Sequence, residues 1–259
     1  MELASLGGPD VAADLMGALH EVDRHKPASE DLHARLARKH RVHILAASGP
    51  VFGLPHAGDR PVNRASLFGP DGLIGHQDKA MMTRWERDEW KIVPGDGLTV
   101  FETDLGRIGI LICYDSEFPL LGRAMAEAGA EVLLVPSATE TLAGFTRVRV
   151  GAMARALENQ MVSVHAPLVG AAPWCCGVEQ NIGAASVYGP PDRGFPASGI
   201  IAEGRLGEPG WVHAQVSRDA IAELRADGGV LNFAHWPEQL GQIGKVTRRD
   251  ARAANRDKS

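Results

Sequence analysis

Three short apolar runs, "RIGILIC" from Arg107, "EVLLVPS" from Glu131 and "MVSVHAP" from Met161, are separated by two amphipathic stretches of helical length. This βαβαβ alternation restricts the fold more than any other feature, because strands joined through helices pair in parallel and bury both faces of their sheet. The first intervening helix, "PLLGRAMAEAGA", opens on Pro119, which suits a first turn, and sets Leu121, Met125 and Ala128 on one face. The second is "TRVRVGAMARALENQ".

The flanking segments read less sharply. "PDVAADLMGALHEVDRH" repeats apolar residues at Val11, Leu15, Ala18, Leu19 and Val22, and "SEDLHARLARKH" follows with Ser29 placed as a cap, so two helices are expected first. "VHILAAS" reads as a buried strand, and "RASLFGPDGLIGHQDK" as two strands around the Pro70–Gly72 turn. "LTVFETDLGRIGILIC" is a strand pair turning at Asp104–Gly106 and ending at Cys113. "GAASVYGP", "SGIIAEG" and "WVHAQVS" read as later strands joined by Gly/Pro turns. One domain over residues 1–244 is expected, with a basic tail over 245–259.

Cys113 stands at the end of its apolar run, where "CYDSEFP" begins an acidic, proline-closed turn. A packing cysteine fits equally well inside the run, at Ile110 or Ile112. The strand end instead faces the crevice in which parallel α/β sheets bind ligands, and the free N–H groups of the following turn favour a thiolate. The Tyr114 N–H, next in line, is placed to meet an oxyanion formed when that thiolate attacks a carbonyl. A space-filling thiol is the bland alternative, and the rest of the chain must decide.

Composition excludes several classes. A net charge of −5 with scattered basic residues carries no nucleic-acid footprint, and no apolar run is long enough to span a bilayer. Three cysteines, two of them adjacent at Cys175 and Cys176, make neither a disulfide framework nor a metal site, which points to a reducing, cytoplasmic setting without metal or cofactor.

Four elements in order resemble the nitrilase (carbon–nitrogen hydrolase) superfamily. They are Lys79 closing the strand after "GPDG", Glu86 ahead of a "PG" pair in "WERDEWKIVPG", "CYDSEFP" around Cys113, and "ARALENQ" in the next helix. The resemblance implies an α/β fold, the four-layer αββα sandwich of the nitrilase type, usually assembled into homodimers or higher oligomers. It also implies a cysteine thioester route to hydrolysis of a small-molecule amide or nitrile, amidase in preference to nitrilase. Cys113 is then the nucleophile, Lys79 with the Tyr114 N–H forms the oxyanion site, and Glu86 helps position the lysine and the substrate, with Glu89 a weaker competitor. Glu117, Ser137, Thr139 and Glu140 are candidates for the pocket rim, each with a structural alternative as helix-end or strand-end polar residues. Arg155 and Glu158 read as an ion pair on their helix, His165 as a satisfied structural histidine, and "WCC" at Trp174–Cys176 as a pocket or interface loop.

One element of the family pattern has no counterpart. Its general-base glutamate sits in a Pro-Glu pair after a first strand, whereas this chain opens "MELASLGGPD", already entering a helix, with Glu2 the only acid nearby. The expectation is a nitrilase-type sandwich without its first strand, the base lying upstream of Met1 or missing. A non-catalytic or scaffold member of the same fold is therefore the alternative. An α/β-hydrolase is disfavoured because no Gly-x-Cys-x-Gly elbow surrounds Cys113.

Overall fold

The computed structural model describes residues 1–249, apart from the side chain of Glu2. After a 3₁₀ turn (Glu2–Gly7) the chain forms α1 (Pro9–Ala13) and α2 (Leu15–His40). Next come β1 (Ile44–Leu45), β2 (Gly49–Val51), β3 (Val62–Gly69), β4 (Gly72–Asp78), α3 (Arg84–Asp88), β5 (Val100–Thr103) and β6 (Gly106–Ile110). The second half runs through a 3₁₀ turn (Cys113–Glu117), α4 (Pro119–Glu127), β7 (Val132–Ser137), α5 (Leu142–Asn159) and β8 (Val162–Pro167). It then continues with β9 (Gly170–Ala171), β10 (Gln180–Asn181), β11 (Ser186–Tyr188), β12 (Ile200–Glu203), α6 (Arg218–Asp227), α7 (Asn232–His235) and α8 (Leu240–Ile243).

The expected βαβαβ core is present: β6, β7 and β8 pair in parallel, while β5 on one side and β11 then β12 on the other are antiparallel. The smaller sheet is antiparallel, with β3 between β4 and the collinear pair β1 and β2. The two sheets meet face to face through Ala65 and Leu67 of one and Phe101, Ile110 and Ile112 of the other. They approach so closely that a Cβ on Gly75 would fall 2.8 Å from the Phe101 ring. α2 covers the outer face of the small sheet through Ala37 against Ala46 and Phe68. On the far side Met125 and Ala126 of α4 pack on Leu111 and Leu133, and Val148, Ala152 and Ala156 of α5 on Val135 and Tyr188. The order helix, sheet, sheet, helix is the expected four-layer sandwich.

Three segments depart from expectation. The two N-terminal helices separated at Ser29 are one helix, α2, running through Pro27. An interior proline costs one N–H bond and about 3 kcal/mol, but the inward stripe is unbroken: Ala18, Leu19 and Val22 are buried, Lys26 reaches the Arg64 carbonyl and Glu30 accepts from Ser66. Tertiary contact on both sides of Pro27 holds the helix together, and Ser29 caps nothing; its carbonyl accepts from His33 Nδ1 at 2.7 Å. "VHILAAS" shortens to β1, since the strand is interrupted before β2 resumes against the same partner β3. "WVHAQVS" forms no strand, and Trp211 is 90% exposed. Gly204 and Gly207 bond back to Ala185 and Gly183, leading the chain away from the sheet edge and leaving the alternating pattern without a partner. Most of the tail expected over 245–259 lies outside the described residues.

"WCC" is a packing loop. Cys175, fully buried, and Val178 form one apolar cluster with Ala4, Ala12, Ala18 and Val22 of the N-terminal helices.

Candidate active site

β6 delivers Cys113 through Leu111 and Ile112, and the backbone reverses there with Cys113 at φ 52°, a left-handed value uncommon outside glycine. Local bonds hold the turn. Asp115 N–H donates to the Ile112 carbonyl at 3.1 Å, and Ser116 Oγ donates to the Cys113 carbonyl at 2.8 Å. α5 braces it from beneath: Arg155 Nη1 donates to the Ser116 carbonyl at 2.7 Å, and Gly151 leaves no room for a Cβ, which would lie 2.7 Å from that same oxygen. Arg155 also pairs with Glu158 at 2.8 Å, as expected.

Lys79 directly follows β4. Its ammonium is buried and lies 2.6 Å from each Glu86 carboxylate oxygen. Glu86 is the third residue of α3 and completes a capping box with Thr83, whose N–H and hydroxyl both donate to Oε2 at 2.8 Å. Asn63 Nδ2 adds a bond to Oε1 at 3.4 Å. The carboxylate is thus engaged on both oxygens. Glu89, the competitor, is the C-terminal cap residue of α3 and exposed.

The charges of Lys79 and Glu86 both reach the Cys113 thiol. Cys113 is half-buried by accessibility yet surrounded by protein, and Sγ lies 3.7 Å from the Ala138 carbonyl just beyond β7. Burial pushes the thiol above its ordinary range; the Lys79 ammonium and the Tyr114 N–H pull it down, and the Glu86 carboxylate pushes it up. Desolvation therefore outweighs the turn's N–H groups, so the shift runs opposite to the thiolate bias expected from strand-end placement alone.

Of the pocket candidates, Ser137 and Thr139 flank Ala138 and Glu117 ends the cysteine turn, and three of the four have partners of their own. Ser137 Oγ turns to His165 Nε2 at 2.8 Å, Thr139 Oγ1 donates to the Ile182 carbonyl at 2.8 Å, Glu117 pairs with Arg147 at 3.5 Å and Glu140 is exposed. His165 is buried, stacks on Phe145 and is lowered to about 4 by burial, with Arg149 adding to the effect, so it is a neutral structural side chain. Among the described residues its Nδ1 has no hydrogen-bond partner, so it is not fully satisfied as expected. Glu2's side chain lies outside the described residues.

Asp115 went unread in the sequence. Its carboxylate is 1% exposed and accepts from the N–H groups of Ile112, Ala80 and Met81. Its signal was an acid two residues into a turn, a pattern that elsewhere only caps. Gln160 also went unread: it ends α5 in the left-handed conformation, Nε2 donates to the Leu224 and Val230 carbonyls, and Oε1 accepts from Phe233 N–H, fastening the C-terminal segment.

Residues 22–194 match the family model described as Carbon-nitrogen hydrolase. "Probable hydrolase YhcX" of Bacillus subtilis (strain 168) is 36% identical over 195 residues, 75% of this chain and 37% of its own length. "Deaminated glutathione amidase" of Yersinia enterocolitica is 32% identical over 161 residues, 58% of this chain and 56% of its own length. Of these two curated relatives the chain therefore spans little more than half at most. The crystal structure of Saccharomyces cerevisiae Nit3, a member of branch 10 of the nitrilase superfamily, superposes with a TM-score of 0.65 at 26% identity over 77% of this chain and 68% of that one. Among the described residues no helix is long and apolar enough to cross a membrane, and no group of acidic, histidine and cysteine side chains is arranged to hold a metal.

Proposed function

This chain belongs to the carbon–nitrogen hydrolase family, and from that membership we propose that it is a thiol amidohydrolase acting on a small non-peptide amide, with Cys113 as nucleophile. What supports the reading is a buried Lys79 ammonium whose charge, with the Tyr114 N–H, favours the ionised form of Cys113 at a left-handed turn. In acylation sulfur bonds to the carbonyl carbon, the C–N bond breaks, and the departing nitrogen carries off the proton that the thiol gave up as ammonia or an amine. Lys79 and the Tyr114 N–H bear the negative charge on the carbonyl oxygen meanwhile. Water then adds to the thioester, the C–S bond breaks, the acid leaves carrying the water's oxygen, and the sulfur takes back a proton from that water. Glu86 holds Lys79 in place. The amidase name of the Yersinia relative supports an amide over a nitrile.

A second reading, a non-catalytic member, draws on one observation: Glu86, the carboxylate whose charge reaches the thiol, is already engaged by Lys79, Thr83 and Asn63. Ammonia release from a panel of amides and nitriles, with Cys113→Ala as control, separates the two. Turnover lost in Cys113→Ala supports the enzyme, and none from the parent protein supports the second reading. Assembly into a homodimer or larger homo-oligomer, in the cytoplasm, belongs to the same proposal and is checked by light scattering on the eluting protein and by fractionation.

A further inference from the structure

A buried carboxylate without a cation in contact is an expensive element, and its partners say what it is for. Among the described residues Asp115 makes no salt bridge; its partners are backbone N–H groups from two segments far apart in sequence. Oδ1 accepts from Met81 at 2.7 Å and Ala80 at 3.2 Å, while Oδ2 accepts from Ile112 at 3.0 Å and Ala80 at 3.3 Å. Ala80 and Met81 directly follow Lys79, and Ile112 directly precedes Cys113. One side chain thus bolts the exit of β4 to the entry of the cysteine turn. An ordinary turn cap would satisfy Ile112 alone and leave the other two groups to water.

We infer that Asp115 is a positioning residue that sets the separation of Lys79 from Cys113, so that its ionised form is required for both thiol reactivity and turnover. The inference takes the roles of Cys113 and Lys79 from the function proposed above. Three N–H donors aimed at one site accept a carboxylate; a protonated acid or a carboxamide presents a hydrogen where an acceptor is needed. Burial raises this carboxyl to about 6, against the pull of the backbone N–H groups and Lys79. The charged group that acts on it is the Lys79 ammonium just past β4, itself paired with the Glu86 carboxylate of α3; that same ammonium also acts on the Cys113 thiol two residues before Asp115.

The test is the pH dependence of Cys113 alkylation by iodoacetamide, followed by mass spectrometry on parent protein, Asp115→Asn and Glu86→Gln, with ammonia release measured alongside. Above about pH 6 the parent rate should change about tenfold per pH unit, from thiol ionisation alone. Below it the fall should steepen as Asp115 also takes a proton. Asp115→Asn should lose that steeper limb, and its kcat should fall about a hundredfold, the effect of a misplacement of about 1 Å, with KM nearly unchanged. Glu86→Gln should keep the limb. A parent profile that never steepens overturns the inference even if Asp115→Asn fails to fold, as does a limb lost in Glu86→Gln but kept in Asp115→Asn. Alkylation needs no turnover, so the inference is judged even if Cys113→Ala retains activity and the proposed function falls.

Discussion

The Lys79 ammonium is clasped by both oxygens of Glu86 at 2.6 Å, with side-chain exposures of only 3% and 6%. Removing one partner leaves an uncompensated buried charge. Glu86→Gln should therefore destabilise the fold by about 3–5 kcal/mol in urea titration, whereas the apolar double change Lys79→Met with Glu86→Leu should recover most of that loss. On the proposed function ammonia release should vanish in both, since Lys79, its oxyanion donor, is gone or displaced. A double variant as unstable as the single one would mean that the pair is needed for the fold itself.

Cys113 is held above the ordinary thiol range by burial, with Lys79 pulling the other way. Lys79→Met removes the opposing charge, so the pH–rate curve for alkylation should move to higher pH and the rate at neutral pH should drop. A curve that stays in place would mean that the Lys79 charge does not reach the sulfur.

His165 and Asp115 should give the stability curve opposite slopes in acid. His165 falls from 6.5 to about 4 on folding, so its contribution is whole above 6.5 and is lost as pH drops through 4. Asp115 rises from 3.8 to about 6, so its contribution is whole below 3.8 and is lost as pH climbs through 6. Each is worth up to one proton, about 1.4 kcal/mol per pH unit, and they oppose each other across the shared window. Relative to the parent, His165→Gln should gain stability on acidification and Asp115→Asn should lose it, measured by urea midpoints at stepped pH. Parallel curves would rule out both assignments.

Gly151→Ala pushes a methyl group to 2.7 Å from the Ser116 carbonyl, a backbone atom that cannot rotate aside. The helix or the cysteine turn must shift, at a cost of about 1–3 kcal/mol, and kcat should fall with the melting temperature. Unchanged kcat at a lowered melting temperature would show that the helix moves and the turn does not.

The parallel core was legible because its signal is local: each strand and helix between Gly106 and Pro167 carries its own period. Cys113, Lys79 and Glu86 were legible through family resemblance, the residue chemistry alone leaving open a surface lysine and one acid in a charged run. Asp115 was not, because its value comes from Ala80 and Met81, partners more than thirty residues away that no local pattern announces. The same reason hid the continuity of α2 through Pro27, where Ser66 and Arg64 supply the support, and the fate of "WVHAQVS", whose alternation found no sheet edge. The thiol's upward shift was missed because turn geometry is readable from sequence and desolvation is not.

Gln160 has a consequence for synthesis on the ribosome. Its amide is satisfied by Leu224, Val230 and Phe233, which lie 64, 70 and 73 residues further along. At roughly 5–20 residues per second the parallel core emerges about 3–13 s before its last partner does. Through that interval α5 ends on a polar side chain whose buried place does not yet exist, so the nascent core is open to chaperones on that side. Arrival of Phe233 closes it, and a chain stopped short of that residue would carry the same opening permanently.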